Sequence, residues 1–219
     1  MMDHGERMAI FDRADLYVVI TEAFCAGRSA LEVLDACLEA GVKLVQMREK
    51  DRPDAEVYAL GRAFRERTRA AGTLMIVDDR VDLALALDAD GAHLGQGDLP
   101  VDAARRIAPE LVLGASSHNL EEALTAQRDG ASYVNIGPVF PTQTKAVASG
   151  VVGTAMIDAI RPLLAIPFTC MGGIKAHNAA EVVRHGARRC AVVTAVTAAP
   201  DARAAAAELR NVILAARGD

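Results

Sequence analysis

Residues 128–137 read RDGASYVNIG, the end of a polar helical run, then a glycine, then a short β-rich run. A glycine at that place suits the left-handed position that terminates a helix, and the run after it has the length of a strand. The same phrase recurs as EAGVKLVQM at 39–47, DADGAHLG at 88–95 and RHGARRCAVVT at 184–194. Adding the runs at 16–20, 73–77, 111–115 and 167–171 predicts eight strands. Helical stretches fall between most of them, including 54–71, 119–129, 177–185 and a short one near 102–108. Several strands are nearly continuous apolar runs, as parallel strands covered on both faces require. Alternating strands and helices define an α/β protein, and eight such units in 219 residues fit the compact end of a (β/α)8 TIM barrel. An open doubly wound sheet is the alternative, but residues 21–28 read TEAFCAGR, without the glycine-rich fingerprint expected after a first strand. The expectation is one TIM-barrel domain over residues 1–219, closed by the Ala-rich helix at 201–217.

Composition narrows the function. Apolar residues make up 52% and charged residues 24%, values of an ordinary folded protein rather than a disordered one. The longest uncharged stretch, 130–144, carries Ser, Asn, Gln and two prolines and is no membrane span. Residues 1–13 are interrupted by Asp3, Glu6, Arg7 and Asp12 and lack the apolar segment of a secretory signal. A net charge of −5 without basic blocks argues against nucleic acid, and with no Trp a stacking platform for bases is poorly supported. Cys25, Cys37, Cys170 and Cys190 form no C-x-x-C pair and read as buried, reduced thiols of a cytoplasmic protein.

In such a barrel the active site lies at the C-terminal strand ends, and polar residues gather there. Strand 2 runs into Gln46, Arg48 and Lys50, whose alternation puts all three on one side of an extended strand end, as an anion clamp needs; a solvated charged face is the other reading. Strand 3 ends at Asp78 and Asp79, and strand 4 leads to Gln96 and Asp98. These aspartates either cap helices, a task for which Asp82 and Asp102 compete, or hold Mg2+ with few protein ligands plus a substrate phosphate. Strand 5 delivers Ser116 and His118; His118, beside Asn119 and Glu121, fits capping as well as catalysis. His93 faces the barrel or the site and receives no role. The stretch PVFPTQTKAVASGVVG after strand 6 is too long for a routine connection, and Thr142, Thr144 and Lys145 suit a phosphate-gripping lid. Gly172–Gly173 after strand 7, with Val193 and Thr194 on strand 8, occupy the frequent phosphate site of this barrel.

VQMREK (45–50), VDDRVDLALALDADGAHLGQGDLP (77–100), GASSHNLEEA (114–123), GPVFPTQTK (137–145) and MGGI (171–174) together resemble the thiamine-phosphate synthase family, over about 16–197. The resemblance implies transfer of the pyrimidine group of 4-amino-2-methyl-5-(diphosphooxymethyl)pyrimidine to 4-methyl-5-(2-phosphoethyl)thiazole, with release of pyrophosphate. It implies Mg2+ on Asp79 and Asp98. It places Gln46, Met47, Arg48, Glu49, Lys50, Asp78, Ser116 and Lys145 around the pyrimidine diphosphate, with Arg48, Lys50, Ser116 and Lys145 as the catalytic set. Thr142, Thr144, Gly173, Val193 and Thr194 would hold the thiazole phosphate. It further implies small-molecule substrates, a cytoplasmic location, a homodimer and a dissociative step through a methylene cation on the pyrimidine.

Electrostatics is compatible with this assignment. A charge pair ~4 Å apart interacts by ~4 kcal/mol at an effective dielectric of ~20, so three carboxylates facing a diphosphate would repel it without a cation. The family usually carries Asn-Asp where this chain has Asp78–Asp79, and the extra carboxylate is expected to touch the metal directly or through water. Two rivals remain at this stage: a thiazole tautomerase on a similar barrel, and a non-catalytic sensor of phosphate ligands.

Overall fold

In the computed structural model, which describes residues 2–142, 144 and 150–218, eight parallel strands close on themselves. They are β1 (Leu16–Ile20), β2 (Leu44–Met47), β3 (Leu74–Asp78), β4 (Gly91–Leu94), β5 (Val112–Ser117), β6 (Tyr133–Ile136), β7 (Phe168–Met171) and β8 (Cys190–Val192), hydrogen-bonded in chain order, with β8 returning to β1. The TIM barrel expected from the recurring helix–glycine–strand phrase is the observed architecture.

The period-two alternation of a strand sorts the side chains into two layers. Leu16, Val18 and Ile20 of β1 face outward to the helices, and Tyr17 and Val19 face inward; on β3, Met75 and Val77 face out while Leu74 and Ile76 face in. The outer layer receives helices α2 (Ala30–Glu39), α3 (Asp54–Ala70), α4 (Val81–Ala86), α5 (Val101–Ile107), α6 (Leu120–Arg128), α7 (Ala155–Ile160), α8 (Ala176–Arg184), α9 (Thr194–Thr197) and α10 (Ala202–Arg217). The four thiols are free and buried, and desolvation pushes Cys25 up to about 11 and Cys37 up to about 12. No helix among the described residues is long and apolar enough to cross a membrane.

Two details depart from the sequence reading. Asp82 and Asp102 do not cap α4 and α5; Arg80 and Pro100 hold those N-cap positions. Both aspartates lie within the first turn, where a negative charge is favourable, and pair with Arg80 and Arg106. The second departure is an unforeseen helix, α1 (His4–Arg13), which seals the N-terminal end of the barrel. Its start is a capping box in which Asp3 accepts from Glu6 N at 2.8 Å and Glu6 accepts from Asp3 N at 2.9 Å. Phe11 packs on the Tyr133 ring, 4.7 Å between centroids, and the Arg189 guanidinium lies 4.6 Å from the Phe11 ring centre.

Between α1, α3 and the start of β4 lies a buried charge cluster. Asp90 is fully buried and accepts from Arg65 Nη1 at 2.7 Å, Arg65 Nη2 at 3.1 Å and Met75 N at 2.9 Å, with Arg7 Nε at 3.7 Å. Removing the shared carboxylate strands two guanidinium groups out of water, the costly way to break a buried ion pair. Asp90→Ala is expected to lower the unfolding free energy by about 3–5 kcal/mol, measured as a shift in the urea midpoint. A loss below about 1 kcal/mol would show that the cluster contributes no more than a surface pair.

Candidate active site

The inward positions at the C-terminal end of the barrel are polar, and they surround a cavity of about 850 Å3. Gln46, Asp78, His93, Ser116 and Asn135 come from five adjacent strands, and Arg48 follows β2 on the same side as Gln46. The alternation read from residues 46–50 therefore places Gln46 and Arg48 at the cavity and Lys50 at its rim. It also turns the intervening side chains away. Met47 is buried in the outer core. Glu49 accepts from Glu22 N at 2.8 Å on the outer side of the strand tip; burial, ahead of its neighbours, raises its carboxyl above the usual range.

Asp78 and Asp79 point to different partners. Asp78 lies 3.3 Å from Arg48 Nε and 3.8 Å from Lys50 Nζ, while Lys50 Nζ is 2.8 Å from Asp79. Asp79 adopts a left-handed backbone, φ +58°, and its N–H donates to His93 O at 2.8 Å, which bends the β3 tip toward β4. There its carboxylate comes within hydrogen-bonding reach of Asp98. Burial pushes Asp79 upward, but Lys50 and Asp98 overcome it and leave this carboxyl below the usual range. At Asp98 burial dominates and Asp79 adds to it, against the Gly95 N–H at 2.6 Å, so this carboxyl sits above the usual range. Two carboxylates pressed together in this way suit a hard divalent cation that takes its remaining ligands from water and substrate. Among the described residues no group of three or more His, Cys, Asp or Glu is placed to hold a metal. The extra carboxylate of this chain is thus paired with Arg48 and Lys50 rather than gathered with Asp79 and Asp98.

On the far side of the mouth, Val139 N donates to Met171 O at 2.9 Å and Phe140 N to Gly172 O at 3.0 Å, so the tips of β6 and β7 run together beyond the sheet. Gly172 (φ +103°) and Gly173 (φ +63°) permit this contact: a Cβ would stand 2.5 Å from Pro138 Cα at the first and 2.5 Å from Pro141 O at the second. The seam brings Thr142 and Thr144 to the cavity wall on the side of Gly173, with Val193 and Thr194 also lining the cavity. Thr144 N donates to Thr142 Oγ1 at 3.3 Å. Lys145 lies outside the described residues. His118 lines the cavity, and its Nδ1 is 2.8 Å from Glu122, while Asn119 caps α6 by accepting from Glu122 N.

Several lining groups escaped the sequence reading. Lys175 follows the glycine pair and adds a cation at the Thr142–Thr194 end. Tyr17 and Tyr133 look like ordinary strand aromatics, yet their hydroxyls meet at 3.1 Å inside the barrel. The chain as a whole has close relatives. Residues 16–196 match the family model described as thiamine monophosphate synthase. The thiamine-phosphate synthase of Moorella thermoacetica is 46% identical over 205 residues, 93% of this chain and 98% of that one. That of Chloroflexus aurantiacus is 47% identical over 198 residues, 90% and 92% of the two chains. The structure of thiamine phosphate pyrophosphorylase from Pyrococcus furiosus superposes with a TM-score of 0.86 at 41% identity, covering 92% of this chain and 96% of that one. A 3-hexulose-6-phosphate synthase, at 19% identity and a TM-score of 0.68, shares the fold alone. With the match spanning every strand of the barrel and both walls of its mouth, the chain belongs to the thiamine monophosphate synthase family.

Proposed function

We propose that the protein is a thiamine-phosphate synthase that joins 4-amino-2-methyl-5-(diphosphooxymethyl)pyrimidine to 4-methyl-5-(2-phosphoethyl)thiazole in the cytoplasm, with Mg2+ and with release of pyrophosphate. The observation that carries this reading is a chain of charges that starts at Arg48 on the cavity wall and runs through Asp78 and Lys50 to the Asp79–Asp98 pair, while the same cavity is lined elsewhere by Thr142, Thr144 and Thr194. The first group suits a diphosphate and the second a monophosphate. A reaction between two phosphorylated partners needs both.

Asp79 and Asp98 would hold the magnesium ion, which when bound supplies a positive charge against the phosphate oxygens of the leaving group. Arg48 offers a planar fork of donors to those oxygens and Lys50 a point charge. Asp78 holds Arg48 and Lys50 toward the cavity, so its charge is balanced before a diphosphate arrives. As the C–O bond lengthens, negative charge accumulates on the diphosphate, and fixed cations aimed there stabilise the transition state more than the ground state. Lys145 joins this set in our reading. The pyrimidine ring takes the inner part of the cavity against Gln46 and Ser116. The thiazole phosphate sits at Gly173, Val193 and Thr194, so that the ring nitrogen faces the methylene carbon and attacks it once the diphosphate departs. The protein supplies no nucleophile of its own in this scheme.

Mixing the two substrates with and without Mg2+ and measuring thiamine phosphate and pyrophosphate tests the assignment directly. Equimolar formation of both products, abolished by chelation, is the expected outcome. Isomerisation of a thiazole phosphate without pyrophosphate release would sink it in favour of a tautomerase. Asp98→Ala is expected to reduce kcat/KM by about a hundredfold or more, ~3 kcal/mol of lost transition-state stabilisation, and to raise the Mg2+ concentration for half-maximal rate. An unchanged Mg2+ titration in this variant would remove Asp98 from the metal site.

A further inference from the structure

A line of hydrogen bonds crosses the barrel beneath the cavity. Gln46 Nε2 donates to the Tyr17 hydroxyl at 2.7 Å, the Tyr17 and Tyr133 hydroxyls are 3.1 Å apart, Tyr133 Oη lies 3.0 Å from His93 Nδ1, and His93 Nε2 lies 3.0 Å from Ser116 Oγ. Gln46, Tyr17, His93 and Ser116 line the cavity, Tyr133 belongs to the core packed beneath them, and the two phenols are buried. Burial raises Tyr17 and Tyr133 well above the usual phenol range, against the opposing hydrogen bonds from Gln46 at Tyr17 and from Tyr17 at Tyr133, so both keep their protons.

Room for the middle of this line is made by Gly114, which lies in register between His93 on β4 and Tyr133 on β6. A Cβ on Gly114 would stand 2.3 Å from Tyr133 Oη and 2.5 Å from His93 Nδ1. Any side chain at this strand position would therefore occupy the space in which the phenol and the imidazole meet.

Proton counting gives the line a direction. An amide nitrogen only donates, so the Tyr17 oxygen accepts from Gln46. A phenol oxygen can accept twice, so the sense of the next bond follows from where the Tyr17 proton can go: among the hydrogen bonds of the described residues, the acceptor open to it is the Tyr133 oxygen. Tyr133 in turn has one proton, which goes to His93 Nδ1. A neutral imidazole that accepts at Nδ1 carries its hydrogen on Nε2, and that hydrogen goes to Ser116 Oγ. The Ser116 proton is left for whatever occupies the cavity.

We propose that Tyr133 is a positioning residue that holds His93 as the Nε2–H tautomer and thereby fixes Ser116 as a hydrogen-bond donor to the substrate. The inference deepens the synthase reading and rests on it for the identity of the ligand. The atom that meets Ser116 is then an acceptor, an unprotonated ring nitrogen or a diphosphate oxygen, and an analogue with a donor at that place is rejected.

The test is a long-range 1H–15N correlation spectrum of the ligand-free protein labelled at histidine, at slightly alkaline pH, with the His93 signals assigned by their loss in His93→Gln. The expected result is a pyridine-type shift at Nδ1 and a pyrrole-type shift at Nε2. Tyr17→Phe and Tyr133→Phe each delete one buried hydroxyl from the same pair. Tyr17→Phe should leave the tautomer in place, because Tyr133 keeps its own proton for Nδ1. Tyr133→Phe should remove the bond that fixes the tautomer, seen as Nδ1 and Nε2 shifts drawn toward each other by exchange, and lower kcat/KM for the pyrimidine diphosphate roughly three- to tenfold. A wild-type ring with hydrogen on Nδ1, or an equal response in the two variants, overturns the proposal, and the wild-type spectrum decides even where a variant fails to fold. Thiamine phosphate formation by a protein whose His93 carries Nδ1–H overturns the relay alone. An Nε2–H ring in a protein that forms no thiamine phosphate overturns the synthase reading alone.

Discussion

A parallel strand turns every second side chain to the same side, and the whole molecule is arranged around that constraint. Because the eight strands are only three to six residues long, each contributes just one to three inward positions. The lower ones are Leu44, Leu74 and Val112 with the rings of Tyr17 and Tyr133, packed on Phe11 of α1. The upper ones are Gln46, Asp78, His93, Ser116 and Asn135. Apolar below and polar above, one column of side chains is both the core of the barrel and the floor of the site. A shift of one residue in any strand would exchange its inward and outward sets, moving polar groups into the helix layer.

The same constraint explains which parts of the site could be read from the chain. Strand tips are local: VQMREK gives its alternation away, and the structure keeps Gln46 and Arg48 at the cavity while turning Met47 and Glu49 out. Asp79 and Asp98 stand at neighbouring tips, so a pattern of carboxylates after two successive strands was enough to suggest their proximity. Tyr17 and Tyr133 were not legible in this way. Each sits in a run, LYVVI or YVNI, that satisfies a core strand, and their contact spans 116 residues of sequence. It exists only because the sheet closes. Helix α1 was missed for another reason. Its ten residues are largely polar, and the signal that marks it, Asp3 followed three residues later by Glu6, is a capping box without the sustained apolar stripe that would have drawn notice.

Charge is handled differently at the two ends of the barrel. At the lower end, Asp90 is shared by Arg65 and Arg7 out of contact with water. At the mouth, Arg48 and Lys50 already have carboxylate partners at 3.3 Å and 2.8 Å, yet they remain partly exposed. The Lys50–Asp79 pair, the more exposed of the two, can exchange a protein carboxylate for a phosphate oxygen at modest cost, because exposed ion pairs are weak. The inner cluster cannot. One set of ion pairs serves rigidity and the other is open to replacement.

The plug formed by α1 also governs traffic. Among the described residues, Phe11 and the two tyrosine rings fill the lower end, so the cavity faces the C-terminal tips of the strands. The end that is sealed for packing is thus also the end that is closed to solutes, and a molecule lodged against Gln46 and Ser116 has protein below it and the strand tips above.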